Sequence, residues 1–310
     1  MDKLIFDIGA TNTKFALMSM DGVILAREKV PTNYQSVDSY FQTLVDIVAR
    51  YRNRSDEIAI STNGRMCPDG NTYRAYTMKF LQGVNLKLEM EQRTGLPVTV
   101  LNDGFSAALG EWWKGAGQGS RNLLVLVLGS GMGGGIIIDG KLYQGSKLNA
   151  AMVFGMLSTY STEHCDLAGL TTSFALLLYQ LSAIKQIPAQ EMTGDRFFDY
   201  VTTGDPVATG MLEAYSEHIA SVIYNCSLLL DLDQVVITGG LSARTVLIDL
   251  INLKLREIPA KAMQGQVADL LEMVAADSND FLIQVSKGAL ALDSNIYGAL
   301  YHLLHKTNTL

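Results

Sequence analysis

The chain has 310 residues, 48% of them apolar and 18% charged, so it can form about two domains with sizeable cores and is not expected to be disordered. A net charge of −7 without clusters of Lys or Arg argues against nucleic-acid binding through phosphate neutralisation. Three widely spaced cysteines fit a reducing cytoplasm rather than a disulfide framework. Asp2 and Asp7 interrupt the first apolar run, which argues against a signal peptide, and residues 122–138 are too short and too rich in glycine to span a membrane. The sequence therefore predicts a cytoplasmic protein without a membrane segment.

Strands dominate the start of the chain. They are predicted at residues 3–8 and 14–18, joined by a turn that begins at Gly9, and Asp21-Gly22 then forms a hairpin turn into a third strand at 23–26. Beyond them, hydrophobic periodicity predicts a helix at 37–51, a strand at 57–61, an irregular stretch at 66–83 and a helix at 84–94.

Residues 97–113 predict a strand that leads into a helix, with Asn102-Asp103-Gly104 between them. Ligands of open α/β sheets bind beyond the carboxyl ends of the strands, so Asp103 lies where chemistry is usual. Asp is also a preferred N-cap residue, and this stretch alone does not separate a catalytic carboxylate from a helix cap.

The second half of the chain opens by repeating the first. Strands predicted at 123–128, 136–138 and 141–143 are separated by a glycine-rich turn at 129–135 and by Asp139-Gly140, in the same succession as at the N-terminus. The two segments lie about 120 residues apart, and a repeat of that length predicts a duplicated domain rather than a short structural repeat. The remaining predicted elements are helices at 172–183, 195–201 and 206–230, a strand at 234–238, a helix from Thr245 and a final helix at 289–304.

The turn after the first strand combines a carboxylate, Asp7, with Gly9 and hydroxyl side chains. Glycine lets a backbone approach a phosphate closely, and successive N–H groups can form an anion-binding concavity. Asp7 suits Mg²⁺, held directly or through water. Lys14 is either part of this site or a solvated strand residue. The glycine spacing differs from that of a P-loop.

Two further glycine turns are candidates for binding phosphate or nucleotide. The turn at 129–135 holds five glycines, which destabilise a strand unless they allow a close approach, and a flexible hairpin is the alternative. Gly239 and Gly240 end a strand before a helix and are a weak signal alone. Phosphoryl transfer requires positioning, Mg²⁺ and a base for the acceptor hydroxyl, and Asp103 meets the last requirement.

Four segments together resemble the signatures of the ROK family of sugar kinases and sugar-responsive repressors, within the actin/hexokinase superfamily: DIGATNTKFALMSMDG, VLNDGFSAALGE, LGSGMGGGIIIDGKLYQG and VVITGGLSA. The resemblance implies an α/β fold of two RNase H-like (actin-like ATPase) lobes around a central cleft. It implies an N-terminal lobe at 1–118, completed by the C-terminal helix 289–310, and a nucleotide-binding lobe at 119–288. It also implies ATP with Mg²⁺, a sugar substrate and a homodimer.

The same resemblance implies roles for individual residues. The phosphates of ATP would be bound by Asp7, Gly9, Ala10, Thr11, Asn12 and Lys14 of the first turn and by Gly129, Ser130, Gly131, Met132 and Gly133 of the second. Gly239 and Gly240 would lie against the adenosine. The sugar would be contacted by Asn63, Gly64, Asn102 and Asp103, with Asp103 as the general base.

The chain also departs from the family pattern. Family kinases carry a Gly-Glu-x-Gly-His element whose Glu holds a sugar hydroxyl, whereas this chain, aligned on Gly155, has Val153 for the Glu and Met156 for the His. The change either alters specificity for that hydroxyl or lowers sugar affinity. The family's cysteine-rich zinc loop is absent: Cys165 stands alone, His164 is interpreted as a surface residue, and no zinc is predicted. In this respect the chain resembles β-glucoside kinase and N-acetylmannosamine kinase-like members.

The sequence therefore predicts an ATP-dependent sugar kinase that phosphorylates a primary hydroxyl of a hexose or hexose derivative. The alternative is a catalytically weak regulator that binds sugar or nucleotide, expected to lack a DNA-binding domain because the first strand begins at Lys3. A phosphatase or ATPase of the superfamily is a more distant alternative, because Asn102-Asp103 matches the sugar-kinase pattern. The sugar is left open, as is whether Trp112 and Trp113 lie in a core or at an interface.

Overall fold

The computed structural model describes residues 1–160, 165–262 and 283–305, which form an α/β protein. The strands are β1 (Asp2–Ile8), β2 (Asn12–Met18), β3 (Ile24–Pro31), β4 (Ser55–Thr62), β5 (Arg65–Met66), β6 (Thr72–Arg74), β7 (Val98–Asn102), β8 (Leu123–Leu128), β9 (Met132–Ile138), β10 (Lys141–Tyr143), β11 (Leu157–Tyr160), β12 (Cys165–Leu167), β13 (Gln234–Thr238) and β14 (Val285–Lys287). The helices are α1 (Val37–Arg50), α2 (Leu86–Thr94), α3 (Asp103–Lys114), α4 (Ala168–Thr171), α5 (Phe174–Ile184), α6 (Gly194–Thr202), α7 (Pro206–Leu230), α8 (Thr245–Ala262) and α9 (Ser294–His305). Within these residues, no helix combines the length and apolar character that a membrane crossing requires.

Two five-stranded sheets share one strand order. The first runs β3-β2-β1-β4-β7 and the second β10-β9-β8-β13-β14, so the second repeats the first position by position. In the first sheet β1, β4 and β7 are parallel, while β2 is antiparallel to both β1 and β3. In the second, β9 and β10 are antiparallel and β13 and β14 parallel, as are the corresponding pairs of the first. The repeated order confirms the predicted duplication.

Contacts divide the chain into two compact units. One comprises Met1–Val125, Gly134–Ala151 and Gly288–Leu310, and the other comprises Leu126–Gly133 and Met152–Lys287. The final helix α9 therefore packs within the unit that contains the first sheet.

Both faces of the first sheet are covered by helices. On one face Phe6 belongs to a buried cluster with Phe41 of α1, and on the other Ile5 belongs to a cluster with Leu300 of α9. Because side chains alternate along a strand, Asp7 shares the face of Ile5 and points toward the side that α9 covers.

Helix α3 lies so close to its neighbours that glycine is required at the contacts. A Cβ atom on Gly298 of α9 would lie 1.7 Å from the carbonyl oxygen of Ser106, and a Cβ on Gly104 would lie 2.2 Å from the carbonyl oxygen of Gly134. Side chains do not tolerate such distances, so the backbone of α3 rests directly on those of α9 and β9.

The glycine-rich stretch at 129–135 is only partly a turn, and the prediction for it was wrong in extent. Strand β9 already begins at Met132, and Gly134 and Gly135 are strand residues. A Cβ on Gly135 would lie 2.6 Å from the Cβ of Ala108. These two glycines therefore serve the packing of β9 on α3, a tertiary reason that the local sequence does not reveal.

The last helix begins at Ser294 rather than at the predicted Ala289. The amide groups of Ala289 and Leu290 donate to the Glu111 carboxylate at 3.0 and 3.2 Å instead of entering a helix, and Ala291 has a left-handed φ of 51°. The hairpin of β11 and β12 and the strand β14 were not predicted, because each is three or four residues long and lacks a periodic pattern.

Candidate active site

The candidate active site lies at the carboxyl ends of the three parallel strands of the first sheet. The strand register pairs Ile8 with Thr62 and Thr62 with Asn102, so these strand ends are level. The residues that follow them therefore lie at one edge of the sheet, where open α/β sheets bind ligands. The first turn, Asn63 and Asp103 are brought together in this way.

Asn102 is the N-cap of α3. Its side-chain oxygen accepts hydrogen bonds from the amides of Gly104 and Phe105 at 2.9 and 3.2 Å, and its side-chain amide donates to the carbonyl of Gly64 at 2.8 Å. The capping role that the sequence left open for Asp103 thus belongs to Asn102. Asp103 follows as the first helical residue, where the helix dipole favours a negative charge.

Three N–H donors fix the Asp103 carboxylate. Oδ1 accepts from the side-chain amide of Asn102 and the backbone amide of Gly104, each at 2.9 Å. Among the described residues, the one donor to Oδ2 is the side-chain amide of Asn63, at a long 3.4 Å. The Asn63 oxygen in turn accepts a hydrogen bond from the Thr77 hydroxyl at 3.1 Å. Oδ2 therefore keeps more acceptor capacity than Oδ1.

Burial raises the pKa of Asp103 from 3.8 to about 6. The residue is half-buried as a whole, but its carboxyl group is packed among protein atoms, which disfavours the charged form. Hydrogen bonds from Asn63, Gly104 and Asn102 oppose this rise, while the nearby charge of Asp7 adds to it. A carboxylate with such a pKa is ionised at neutral pH yet basic enough to accept a proton.

Asp7 is buried, with 6% of its surface exposed, and both of its oxygens have partners. Oδ2 forms an ion pair with Lys14 Nζ at 3.0 Å, and Oδ1 accepts a hydrogen bond from Asn295 Nδ2 at 2.9 Å. Lys14 is therefore paired with a buried carboxylate rather than fully solvated on its strand. Sequence reasoning missed Asn295, because it lies 288 residues from Asp7 and no local pattern marks it.

The chemistry of Asp7 fits Mg²⁺ held through water. Carboxylate oxygens suit this hard ion, which typically keeps several waters and takes one or two carboxylates together with substrate phosphates. Each Asp7 oxygen already accepts one hydrogen bond, and the Lys14 ammonium disfavours direct approach to Oδ2. Within the described ranges no group of three or more His, Cys, Asp or Glu residues could hold a metal ion.

The first turn is closed at both ends. Gly9 donates its amide to the carbonyl of Asn12, the first residue of β2, at 3.0 Å. The hydroxyls of Thr13 and Thr32 lie 3.1 Å apart below it. A Cβ on Gly9 would lie 3.2 Å from the Asn12 oxygen, so the tight closure favours glycine.

The carbonyls of this turn face the protein. Those of Gly9 and Thr11 accept hydrogen bonds from the hydroxyl and the amide of Thr32 at 2.8 and 3.1 Å, and that of Ala10 accepts from the Tyr34 hydroxyl. Ala10 and Thr11 are exposed, and their amide groups have no hydrogen-bond partner in the part of the chain that the structure describes. Exposed amides of this kind suit an anion.

In the second unit, the predicted phosphate turn is open at its glycines. A Cβ on Gly129, Gly131 or Gly133 would meet nothing within 4 Å, whereas Met132 between them is buried. The carbonyl of Ser130 accepts a hydrogen bond from the amide of Ala175, at the start of α5, at 3.1 Å. These three glycines are therefore not required by packing within the protein, in contrast to Gly134 and Gly135.

Gly239 and Gly240 differ from each other. Gly239 has φ of 90°, and a Cβ there would lie 2.5 Å from the carbonyl oxygen of Leu128, at the end of β8. Glycine is thus required at 239 by the fold. Gly240 has open space beside it and begins a short 3₁₀ helix.

A family model described as the ROK family matches residues 4–292. The chain belongs to the ROK family. A β-glucoside kinase of Klebsiella pneumoniae is 28% identical, over 96% of this chain and 94% of that protein. A solved structure of a Listeria monocytogenes protein described as a candidate N-acetylmannosamine kinase superposes with a TM-score of 0.83 at 25% identity and covers 99% of both chains.

A ROK family glucokinase from Streptomyces griseus, solved in complex with glucose and AMPPNP, superposes with a TM-score of 0.77 at 23% identity, covering 97% of this chain and 98% of that one. These likenesses confirm the predicted family and the α/β fold of the actin-like ATPases. They also confirm the resemblance to β-glucoside and N-acetylmannosamine kinases.

The departures from the ROK pattern have distinct environments. Val153 begins a 3₁₀ helix and is buried, with 3% of its surface exposed, so this position presents an apolar side chain in place of a carboxylate. Met156 is half-buried, and Cys165 is exposed at the start of β12. His164 lies outside the described residues.

Both tryptophans are half-buried within the first unit. The rings of Trp112 and Trp113 pack against that of Tyr301 of α9, with centroids 5.7 and 5.5 Å apart, and the indole N–H of Trp112 donates to the carbonyl of Ser120 at 2.9 Å. The two tryptophans of α3 thus form part of its contact with α9.

Proposed function

We propose that this ROK protein is an ATP-dependent sugar kinase that transfers the γ-phosphate to a primary hydroxyl of a hexose or hexose derivative, with Asp103 as the general base. The observation that carries the proposal is the Asp103 carboxylate, fixed by three N–H donors at the ligand-binding edge of a sheet with its pKa raised to about 6. The relatives named above, which are sugar kinases, support it.

Asp103 accepts the proton of the sugar hydroxyl as that oxygen forms a bond to the γ-phosphorus, while the bond from this phosphorus to the β–γ bridging oxygen breaks and ADP leaves. Oδ2 is the receiving oxygen, because its single hydrogen bond from Asn63 is long. The donors on Oδ1 hold the carboxylate in place so that little reorganisation accompanies the transfer. Asn63, Gly64 and Asn102 line the sugar side of the site.

The first turn binds phosphate through the exposed amides of Ala10 and Thr11 and through Lys14, with Gly9 and Asn12 closing the turn. Asp7 would hold Mg²⁺ through water, and the ion would supply positive charge that neutralises the transferred phosphoryl group. In the second unit, Gly129, Gly131 and Gly133, with Ser130 and Met132 between them, bind the distal phosphates through the backbone, and Gly239 and Gly240 lie against the adenosine.

The experiment is an ADP-release assay with Mg-ATP and a panel of hexoses, amino sugars, deoxy sugars and β-glucosides. ADP release that depends on a sugar would support the kinase proposal, and the sugars that cause it would identify the substrate class. The deoxy sugars matter because Val153 offers no carboxylate to a hydroxyl, and the chain is expected to discriminate little against a sugar that lacks it. Nucleotide binding without release on any sugar would favour the regulator instead.

The pH dependence of kcat/KM should report Asp103. Because the base must be ionised and burial raises its pKa to about 6, kcat/KM is expected to be constant above pH 7 and to fall about tenfold per pH unit well below 6. An aspartate of ordinary pKa would keep the rate constant to about pH 5. Direct detection of the sugar phosphate, with circular dichroism at each pH to verify folding, measures this, and a flat profile down to pH 5 would contradict it.

A further inference from the structure

The stretch at residues 289–295, which leads into α9 and includes its first two residues, reaches the buried Asp7. Asn295 donates its side-chain amide to Asp7 Oδ1 at 2.9 Å, while Lys14 donates to Asp7 Oδ2 at 3.0 Å and to the carbonyl of Leu292 at 3.2 Å. The two Asp7 oxygens thus have different partners: Oδ2 is bound by the Lys14 ammonium and Oδ1 by the neutral amide of Asn295. Such a pair of bonds fixes the rotation of the carboxylate plane.

Glu111 of α3 holds this stretch in place. Its carboxylate is fully buried and accepts hydrogen bonds from the amides of Ala289 and Leu290 and from the hydroxyl of Ser294 at 2.7 Å. A buried carboxylate needs such donors. These bonds hold residues 289–290 outside a helix and fix Ser294 at the start of α9, next to Asn295. The helix that begins with Asp103 therefore also braces the residue that holds Asp7.

We propose that Asn295 is a positioning residue that orients the Asp7 carboxylate for Mg²⁺ and the nucleotide phosphates. The inference rests on the proposed function. The chemistry of the amide is the reason: it donates one directional hydrogen bond to Oδ1 without adding charge, so Asp7 keeps the negative charge that attracts a cation. Without it, the carboxylate is free to rotate and share both oxygens with Lys14.

The test uses two variants that remove the donor, Asn295→Ala and the similarly sized Asn295→Leu. Both are expected to weaken the binding of Mg-ADP, measured by titration calorimetry, about 10–100-fold, and to raise the Mg²⁺ concentration for half-maximal activity by the same factor. KM for the sugar should be unchanged at saturating Mg²⁺. Arg27→Ala is the matched control, because it breaks the ion pair with Asp293 in the same stretch without touching Asp7.

A purely structural role for Asn295 would lower the melting temperature and leave Mg-ADP affinity unchanged, and that result in either folded variant would overturn the inference. Failure of the kinase proposal is distinguishable from it. If wild type binds Mg-ADP tightly but transfers phosphate to no sugar, the proposed function is wrong, whereas a 10–100-fold loss of affinity in the variants still supports the positioning role.

Discussion

Asp103→Asn is expected to lower kcat/KM for the sugar by about 10²–10⁴-fold, because asparagine keeps the shape of aspartate but cannot accept the proton of the sugar hydroxyl. The loss should fall on kcat, with Mg-ADP affinity retained, since the amides of the first turn and the Asp7–Lys14 pair are untouched. Initial rates and calorimetry measure the two parts separately. Turnover equal to that of wild type would show that Asp103 is not the base.

The same variant should not be less stable than wild type. Raising the pKa of Asp103 from 3.8 to about 6 means that the folded state disfavours the ionised form by about 3 kcal/mol, so stability is lost as pH rises from about 4 to 6 and the cost is complete above 6. Removing the charge is therefore expected to raise the free energy of unfolding at pH 7 by about 1–3 kcal/mol and to have little effect at pH 4. Urea unfolding at both pH values measures the difference. A lower stability at pH 7 would mean that the hydrogen bonds to Asn63 and Asn102 outweigh the burial cost.

The contact between α3 and α9 leaves no room for side chains at two glycines. Gly298→Ala is expected to lower the free energy of unfolding by about 2–4 kcal/mol, because the new methyl group would lie 1.7 Å from the backbone oxygen of Ser106 and α9 would have to move away from α3. The contact is reciprocal, since a Cβ on Gly110 would lie 2.0 Å from the oxygen of Ser294. Chemical denaturation of purified protein measures the change.

Gly210→Ala is the matched control for this prediction. Gly210 is also a helical glycine, in α7, but its Cβ would meet nothing within 4 Å. Alanine there should stabilise the protein by about 0.5–1 kcal/mol through helix propensity alone. If the two substitutions had the same effect, the close approach of α3 and α9 would be contradicted.

Much of the fold follows from local patterns. The strands β8 and β13 and the helix α7 have the predicted bounds, because long apolar runs, an N-terminal Pro206 and terminal glycines mark them. The family resemblance predicted, in addition, that the first turn and Asp103 belong to one site. The homodimer, the cytoplasmic location and the roles of individual residues stay predictions.

What could not be predicted depends on contacts between distant residues. Nothing near Glu111 in the sequence shows that its carboxylate would be fully buried. Nor does it show that this carboxylate would accept hydrogen bonds from the amides of residues 289–290, which therefore do not begin a helix. In the same way, Gly134 and Gly135 look like part of a turn until α3 is known to lie on β9. The sequence likewise does not show that the side-chain amide of Asn295 would donate a hydrogen bond to the Asp7 carboxylate.

Transfer of phosphate from ATP to a sugar hydroxyl can be followed by ³¹P nuclear magnetic resonance of the products that wild type forms from Mg-ATP and the sugar giving the fastest ADP release. We expect one sugar phosphate for each ADP, esterified at a primary hydroxyl, and none in a parallel reaction with Asp103→Asn. Inorganic phosphate formed in step with ADP, without a sugar phosphate, would contradict it and would identify an ATPase.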